Sequence, residues 1–249
     1  MIPPAPVIRY GSHPDQVANL HLPATDGGPW PCIVLIHGGF WRSRWDRTLT
    51  TPLALDLAAR GYAAWNIEYR RVGQVGGGWP GTFDDVGSAV DALAQTAEVD
   101  ATRLVAIGHS AGGHLALWLG ARKSGRCRIR AAVSLAGVSS LADAHADGLG
   151  DGAVAELLGG GPADDPDRYR SADPASLLPL GVPQLLVHGS GDEHVPVSQS
   201  RTHFASARAA GDDVELVELP AAGHFDVVDA GHVAWQAVVD RLPRLLGTA

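Results

Sequence analysis

The 249-residue sequence predicts an α/β protein whose central sheet is mostly parallel and covered by helices on both faces. Three observations carry this. Short apolar runs rich in β-branched residues recur along the chain, at the length of buried strands. Ala- and Leu-rich or amphipathic stretches of helical length separate them, so that strands return about every 20 to 30 residues. The chain is 45% apolar and long enough to bury a sizeable core, while its mean hydropathy of +0.02 suits a globular protein.

The elements follow in order. Ile8 to Gly11 and Gln16 to Leu22 read as short edge strands, and the turn-rich Ala24 to Pro31 links them to a buried strand, Cys32 to His37. Thr50 or Thr51 caps a helix from Pro52 to Arg60, with proline at its first position and Gly61 as its stop. Tyr62 to Glu68 is the next strand, followed by the Gly-rich loop Gly73 to Gly81. Thr82 caps a helix to about Ala97, with Phe83, Val86, Val90 and Leu93 on one face. Leu104 to Ile107 is a strand, Ala111 to Leu119 a helix, and Ile129 to Ala136 another strand. From 137 to 183 Gly, Ala, Asp and Pro dominate, with one helical piece near Ala153 to Leu158; this reads as a short excursion or minimal cap. Gln184 to His188 is a strand, Ser198 to Ala210 a helix, Val214 to Leu219 a strand, and Val233 to Leu246 a closing amphipathic helix. No internal repeat and no boundary divides residues 1–249, so one domain is expected.

Bulk properties exclude several classes. The net charge of −8 and an isoelectric point near 5.7 argue against a nucleic-acid partner, and Arg122 to Arg130 reads as a solvated basic patch. Cys32 and Cys127 form no disulfide framework or metal-binding pair. The N-terminus lacks a charged region followed by an apolar one, and no apolar run approaches the roughly 20 residues of a membrane span. A reduced, cytoplasmic protein without membrane attachment is expected. A homodimer stays open.

The chemistry centres on Leu104 to Trp118, L-V-A-I-G-H-S-A-G-G-H-L-A-L-W. Between strand and helix lies Gly108-His109-Ser110-Ala111-Gly112, a G-x-S-x-G elbow that presents Ser110 at the strand's C-terminal end, beside a helix N-terminus. A serine hydroxyl needs a base, and the base needs a group to hold its tautomer. Both belong in loops after strand ends. Asp192, in H-G-S-G-D-E-H-V-P after the strand at Gln184, is the candidate orienting acid; it is preferred to Glu193 because it follows the Gly191 turn directly. His224, in A-A-G-H-F-D after the strand at Val214, is the candidate base. An oxyanion needs fixed N–H donors, which Gly39 and Phe40, in His37-Gly38-Gly39-Phe40-Trp41, supply together with Ala111. His37 braces that loop. Trp41, Trp79, His109 and Phe225 are the candidate substrate-lining residues, with His109 also readable as local packing. The Gly73 to Gly81 loop lacks the Lys-Ser/Thr of a phosphate cradle, and no metal-ligand spacing occurs. Neither a metal nor an organic cofactor is expected.

The elbow, the H-G-G-F-W stretch, Asp192 and His224 together resemble the α/β-hydrolase superfamily, from about Tyr10 to the C-terminus. The H-G-G-x-W form resembles kynurenine formamidases (arylformamidases) and small bacterial carboxylesterases, while His188 to Pro196 is equally similar to the catalytic domain of prolyl-oligopeptidase-like peptidases. The resemblance implies a serine hydrolase of a small ester or amide acting through an acyl-enzyme, with no cofactor. The alternatives are a peptidase and a non-catalytic ligand-binding protein on the same fold.

Overall fold

The structure, a computed structural model, describes residues 5–247. The reading of the N-terminus as leaderless falls partly on residues 1–4, which lie outside the described residues, as do 248 and 249.

The chain opens with β1 (Val7–Arg9) and β2 (Val17–His21), paired antiparallel, and continues into β3 (Trp30–Ile36), α1 (Thr51–Ala59), β4 (Ala63–Ile67), α2 (Gly81–Asp91), β5 (Val99–His109) and α3 (Ala111–Ala121). Then come β6 (Ala131–Leu135), three short helices, α4 (Leu141–Ala146), α5 (Leu149–Leu158) and α6 (Pro166–Ala172), then β7 (Gln184–Gly189), α7 (Ser198–Ala209), β8 (Val214–Leu219), α8 (Val233–Val239) and α9 (Leu242–Leu246). All eight strands form one sheet in the order β1-β2-β4-β3-β5-β6-β7-β8. β2 meets β4 antiparallel, and every pairing from β4 to β8 is parallel.

Period-two alternation divides the core into two layers. Cys32, Val34 and Ile36 of β3, with Leu104 and Ala106 of β5, pack on one face with Phe83 of α2 and Leu115 of α3. Ile33 and Leu35, with Val105 and Ile107, pack on the other with Leu53 and Leu57 of α1 and with Trp235 and Leu242 of the C-terminal helices. These central strands are buried on both faces, which is why they read as unbroken apolar runs.

Four expectations need correction. Thr82 does not cap α2: its hydroxyl donates to Arg70 O at 2.6 Å and accepts from the Gly78 amide at 3.1 Å, pinning the Gly-rich loop instead. α2 ends at Asp91 and passes into a 3-10 turn, Ala92–Gln95. The closing helix is two helices, because Pro243 in the first turn of α9 cannot extend α8. The 137–183 excursion holds three helices where one was expected; Gly150, Asp151 and Gly152 are left-handed, so the regular part of α5 covers 153–158, where the helical piece was read. Among the described residues no helix is long and apolar enough to cross a membrane.

Candidate active site

The parallel strands bring four loops to one rim, at the C-terminal ends of β3, β5, β7 and β8. Ser110 stands between β5 and α3 at φ 56° and ψ −119°, a backbone conformation that side chains rarely adopt. The surroundings hold it there. Its amide donates to Leu135 O at 2.9 Å, and its carbonyl accepts from the His114 and Val138 amides at 3.2 and 3.3 Å. A Cβ on Gly108 would run into the Gly112 carbonyl, and one on Gly112 into the Ile36 carbonyl. The two glycines of the elbow are therefore required by close backbone approach.

Asp192 and His224 meet across the gap between the β7 and β8 loops. His224 Nδ1 donates to Asp192 Oδ2 at 2.7 Å, which leaves Nε2 as the basic nitrogen of the neutral ring. Asp192 Oδ1 accepts from the His194 and Val195 amides, both at 2.8 Å. Burial alone would push the Asp192 carboxyl up; hydrogen bonds from His188, His224 and the Val195 amide outweigh it and hold the group far below the usual carboxylate range. His188 also donates Nε2–H to Val195 O at 2.9 Å and lies 3.3 Å from Asp192 Oδ2.

The loop after β3 is braced from below. His37 is buried and stacks on Tyr69 with centroids 4.4 Å apart, its Nδ1 donates to Gly38 O at 2.8 Å, and its Nε2 lies 2.8 Å from Glu68 Oε1. Tyr69 donates its hydroxyl to His37 O at 2.8 Å. Burial pushes the Glu68 carboxyl up, but the hydrogen bond and charge of His37, then Arg71, prevail and keep it below its ordinary value. Gly38 passes so close to the elbow that a Cβ there would sit 2.8 Å from His109 O and 2.9 Å from Ser110 Cβ. Among the described residues, no protein acceptor takes the amides of Gly39, Phe40 or Ala111.

A cavity of about 340 Å³ opens at this rim, lined by Gly39, Phe40, His109, Ser110, His224 and Phe225 among others. Phe225 is 44% exposed, and its ring lies 5.3 Å from that of His224. His109 donates Nε2–H to His224 O at 2.9 Å, steadying the loop that carries His224. Two expected lining residues lie elsewhere. Trp41 is fully buried, donating Nε1–H to His114 Nδ1 at 3.2 Å, because its left-handed backbone turns the side chain into the core. Trp79 packs edge-on against Phe83 at 4.8 Å. The sequence reading missed Arg44, Trp45, Leu49 and His194, all on the cavity wall. The only signals were position: Arg44 and Trp45 lie three and four residues past Trp41 of the H-G-G-F-W stretch, and His194 lies two residues past Asp192. Among the described residues, no three His, Cys, Asp or Glu side chains converge to hold a metal ion.

Three buried histidines couple the stability of the fold to pH. Burial is the first cause in each case: His109 is lowered from 6.5 to about 3, helped by its neighbour His224, and His114 and His203 to about 4. In the unfolded chain these rings take up protons near pH 6.5, while the folded rings do not until about 4 or below. Their neutral burial is fully tolerated above 6.5, and stability is lost as pH falls from there toward the folded values. The urea midpoint should therefore drop between pH 7 and 4.5, and His203→Gln should make the drop shallower; an equally steep drop in that variant would refute the assignment.

An eight-stranded, mostly parallel sheet with a strained serine between its central strand and the following helix defines an α/β-hydrolase fold. The chain belongs to the BD-FAE family, with residues 18–206 matched, a span that includes Ser110 and Asp192. It is 28% identical to esterase LipC of Mycobacterium tuberculosis over 89% of this chain and 60% of that protein, and 27% identical to the isoprenylcysteine alpha-carbonyl methylesterase ICME of Arabidopsis thaliana over 88% and 56%. It is 28% identical to the uncharacterized peptidase YuxL of Bacillus subtilis, over 87% of this chain and 35% of that one. The chain thus spans between about a third and three fifths of these curated relatives. Among solved structures it is similar to the thermophilic esterase Est2 of Thermogutta terrifontis, with a TM-score of 0.79 and 25% identity over 99% of this chain and 94% of that one. A truncated carbohydrate esterase from gut microbiota shares the fold at a TM-score of 0.85 and 20% identity, covering 97% and 95%.

Proposed function

We propose that this chain is a serine hydrolase that cleaves small carboxylic esters through an acyl-enzyme. The observation that carries the reading is that His224, held by Asp192 at 2.7 Å, lines the same cavity as the strained Ser110. His224 Nε2 takes the Ser110 proton as Oγ attacks the ester carbonyl. The tetrahedral oxyanion is met by the unpaired amides of Gly39, Phe40 and Ala111. The intermediate collapses, and His224 returns the proton to the departing alcohol. A water deprotonated by His224 then attacks the acyl group, releasing the acid and restoring Ser110.

The names of the relatives support esters over amides: two are esterases, and the similar Est2 structure also exists with butyrate bound, at a TM-score of 0.78 and 26% identity. Formamides, which the H-G-G-x-W form suggests, and aminoacyl arylamides, which the peptidase relative suggests, are the comparison substrates. A fluorophosphonate probe tests the reading. Intact mass should show one equivalent bound, mapping to Ser110, and the labelling should be slowed while an excess of a phenyl ester is present. A chain that takes up no label, or takes it elsewhere, would be a binding protein on this fold.

A further inference from the structure

We propose that the cavity at Ser110 selects esters carrying a carboxylate, which the guanidinium of Arg44 holds while the apolar remainder lies against Trp45 and Phe225. The inference deepens the hydrolase reading and rests on it for turnover, but not for binding.

The loop after Trp41 reads R-S-R-W-D-R, and its three arginines have different fates. Arg42 is tied to Glu156, Nε to Oε2 at 2.6 Å. Arg47 donates Nε–H to Asn19 Oδ1 at 2.6 Å and lies 3.7 Å from Glu68 Oε2. Arg44 alone of the three makes no ion pair or hydrogen bond with any described residue, and it lies on the cavity wall. The wall has no acid to neutralise it. In a chain with 27 acidic residues and a net charge of −8, no Asp or Glu side chain lines this cavity. Asp192, the acid bonded to a lining residue, has both oxygens occupied by two histidines and two amides. Arg44 therefore sets a local positive potential against the charge of the whole molecule.

A guanidinium beside apolar walls suits a planar anion, because its paired N–H groups match both oxygens of a carboxylate. The body of the ligand is defined by the other walls. The Trp45 and Phe225 rings lie 5.9 Å apart, tilted by 34°, and Leu49 lines the same cavity. His194, whose ring lies 5.6 Å from Phe225, adds a second N–H donor to this wall. The volume of about 340 Å³ limits the ligand to a small one.

Two pairs of probes differ only in the anion: 4-acetoxybenzoate against its methyl ester, with the charge on the leaving alcohol, and monomethyl against dimethyl isophthalate, with the charge on the acyl part. In at least one pair the acid should be preferred by about tenfold in kcat/KM, through a lower KM, and the preference should shrink as salt is raised. Arg44→Gln should bring that ratio close to one. Neutral esters preferred in both pairs, or a ratio unmoved by Arg44→Gln, would overturn the proposal. A binding measurement separates this from failure of the hydrolase reading. Benzoate, but not benzamide, should quench Trp45 fluorescence, and Arg44→Gln should abolish the effect. Equal responses to the two would defeat the proposal even if esters are hydrolysed, whereas benzoate binding without any ester turnover would leave it standing and remove the hydrolase reading.

Discussion

Ser110→Ala is expected to lower kcat on 4-nitrophenyl acetate by about 10⁶ while leaving the fold unchanged. The two halves of this expectation have separate causes. On the proposed mechanism the rate falls because the nucleophile is gone, and His224 has then no hydroxyl to activate. What survives is the slow attack of water on an ester held near the Gly39, Phe40 and Ala111 amides, worth roughly 10³ over free solution. The fold persists because alanine keeps the Cβ, and the bonds that hold residue 110 in its left-handed turn are made by its backbone, to Leu135, His114 and Val138. The unfolding midpoint should stay within about 2 °C of wild type. Near-normal turnover by a Ser110→Ala preparation would end the mechanism.

Asp192→Asn should cost about 10⁴ in kcat with little change in KM. The reason lies in the opposite oxygen. Oδ1 accepts two backbone amides, from His194 and Val195, and can be replaced only by an acceptor. The asparagine oxygen is thus forced to that side, and its NH₂ faces His224 Nδ1. A donor there drives the proton of the imidazole to Nε2, where the ring can no longer receive one from Ser110. In the native protein the carboxyl is held well below its ordinary range, so loss of activity at mildly acid pH is not expected to come from Asp192. Asp192→Glu keeps the charge but moves the oxygens by a methylene, and should recover only part of the rate. A kcat for Asp192→Asn within tenfold of wild type would show that Asp192 does not set the tautomer.

The reading of residues succeeded where local chemistry and tertiary position coincide. The elbow is legible because Gly108 and Gly112 exist for one steric reason, and that reason is visible in a pentapeptide between a strand and a helix. The central strands are legible because burial on both faces leaves mostly apolar side chains. Thr82 misled because a threonine before an amphipathic stretch has the form of a cap, while its hydroxyl is claimed by Arg70 O from another element. Trp41 misled because it follows the glycines beside Ser110 in sequence, yet its backbone conformation sends the indole inward to His114.

By itself the sequence determined the class of fold, the order of its elements and the residue types that could do chemistry, because periodicity and turn composition are properties of neighbouring residues. Only the tertiary structure decided that Asp192 and His224 are in hydrogen-bond contact, that Glu68 stands behind His37, and that one arginine of three is left unpaired beside Ser110. Those juxtapositions are between loops separated by about 30 to 70 positions in the chain. Nothing local encodes them; the parallel order of the sheet, which carries every one of these loops to the same edge, does.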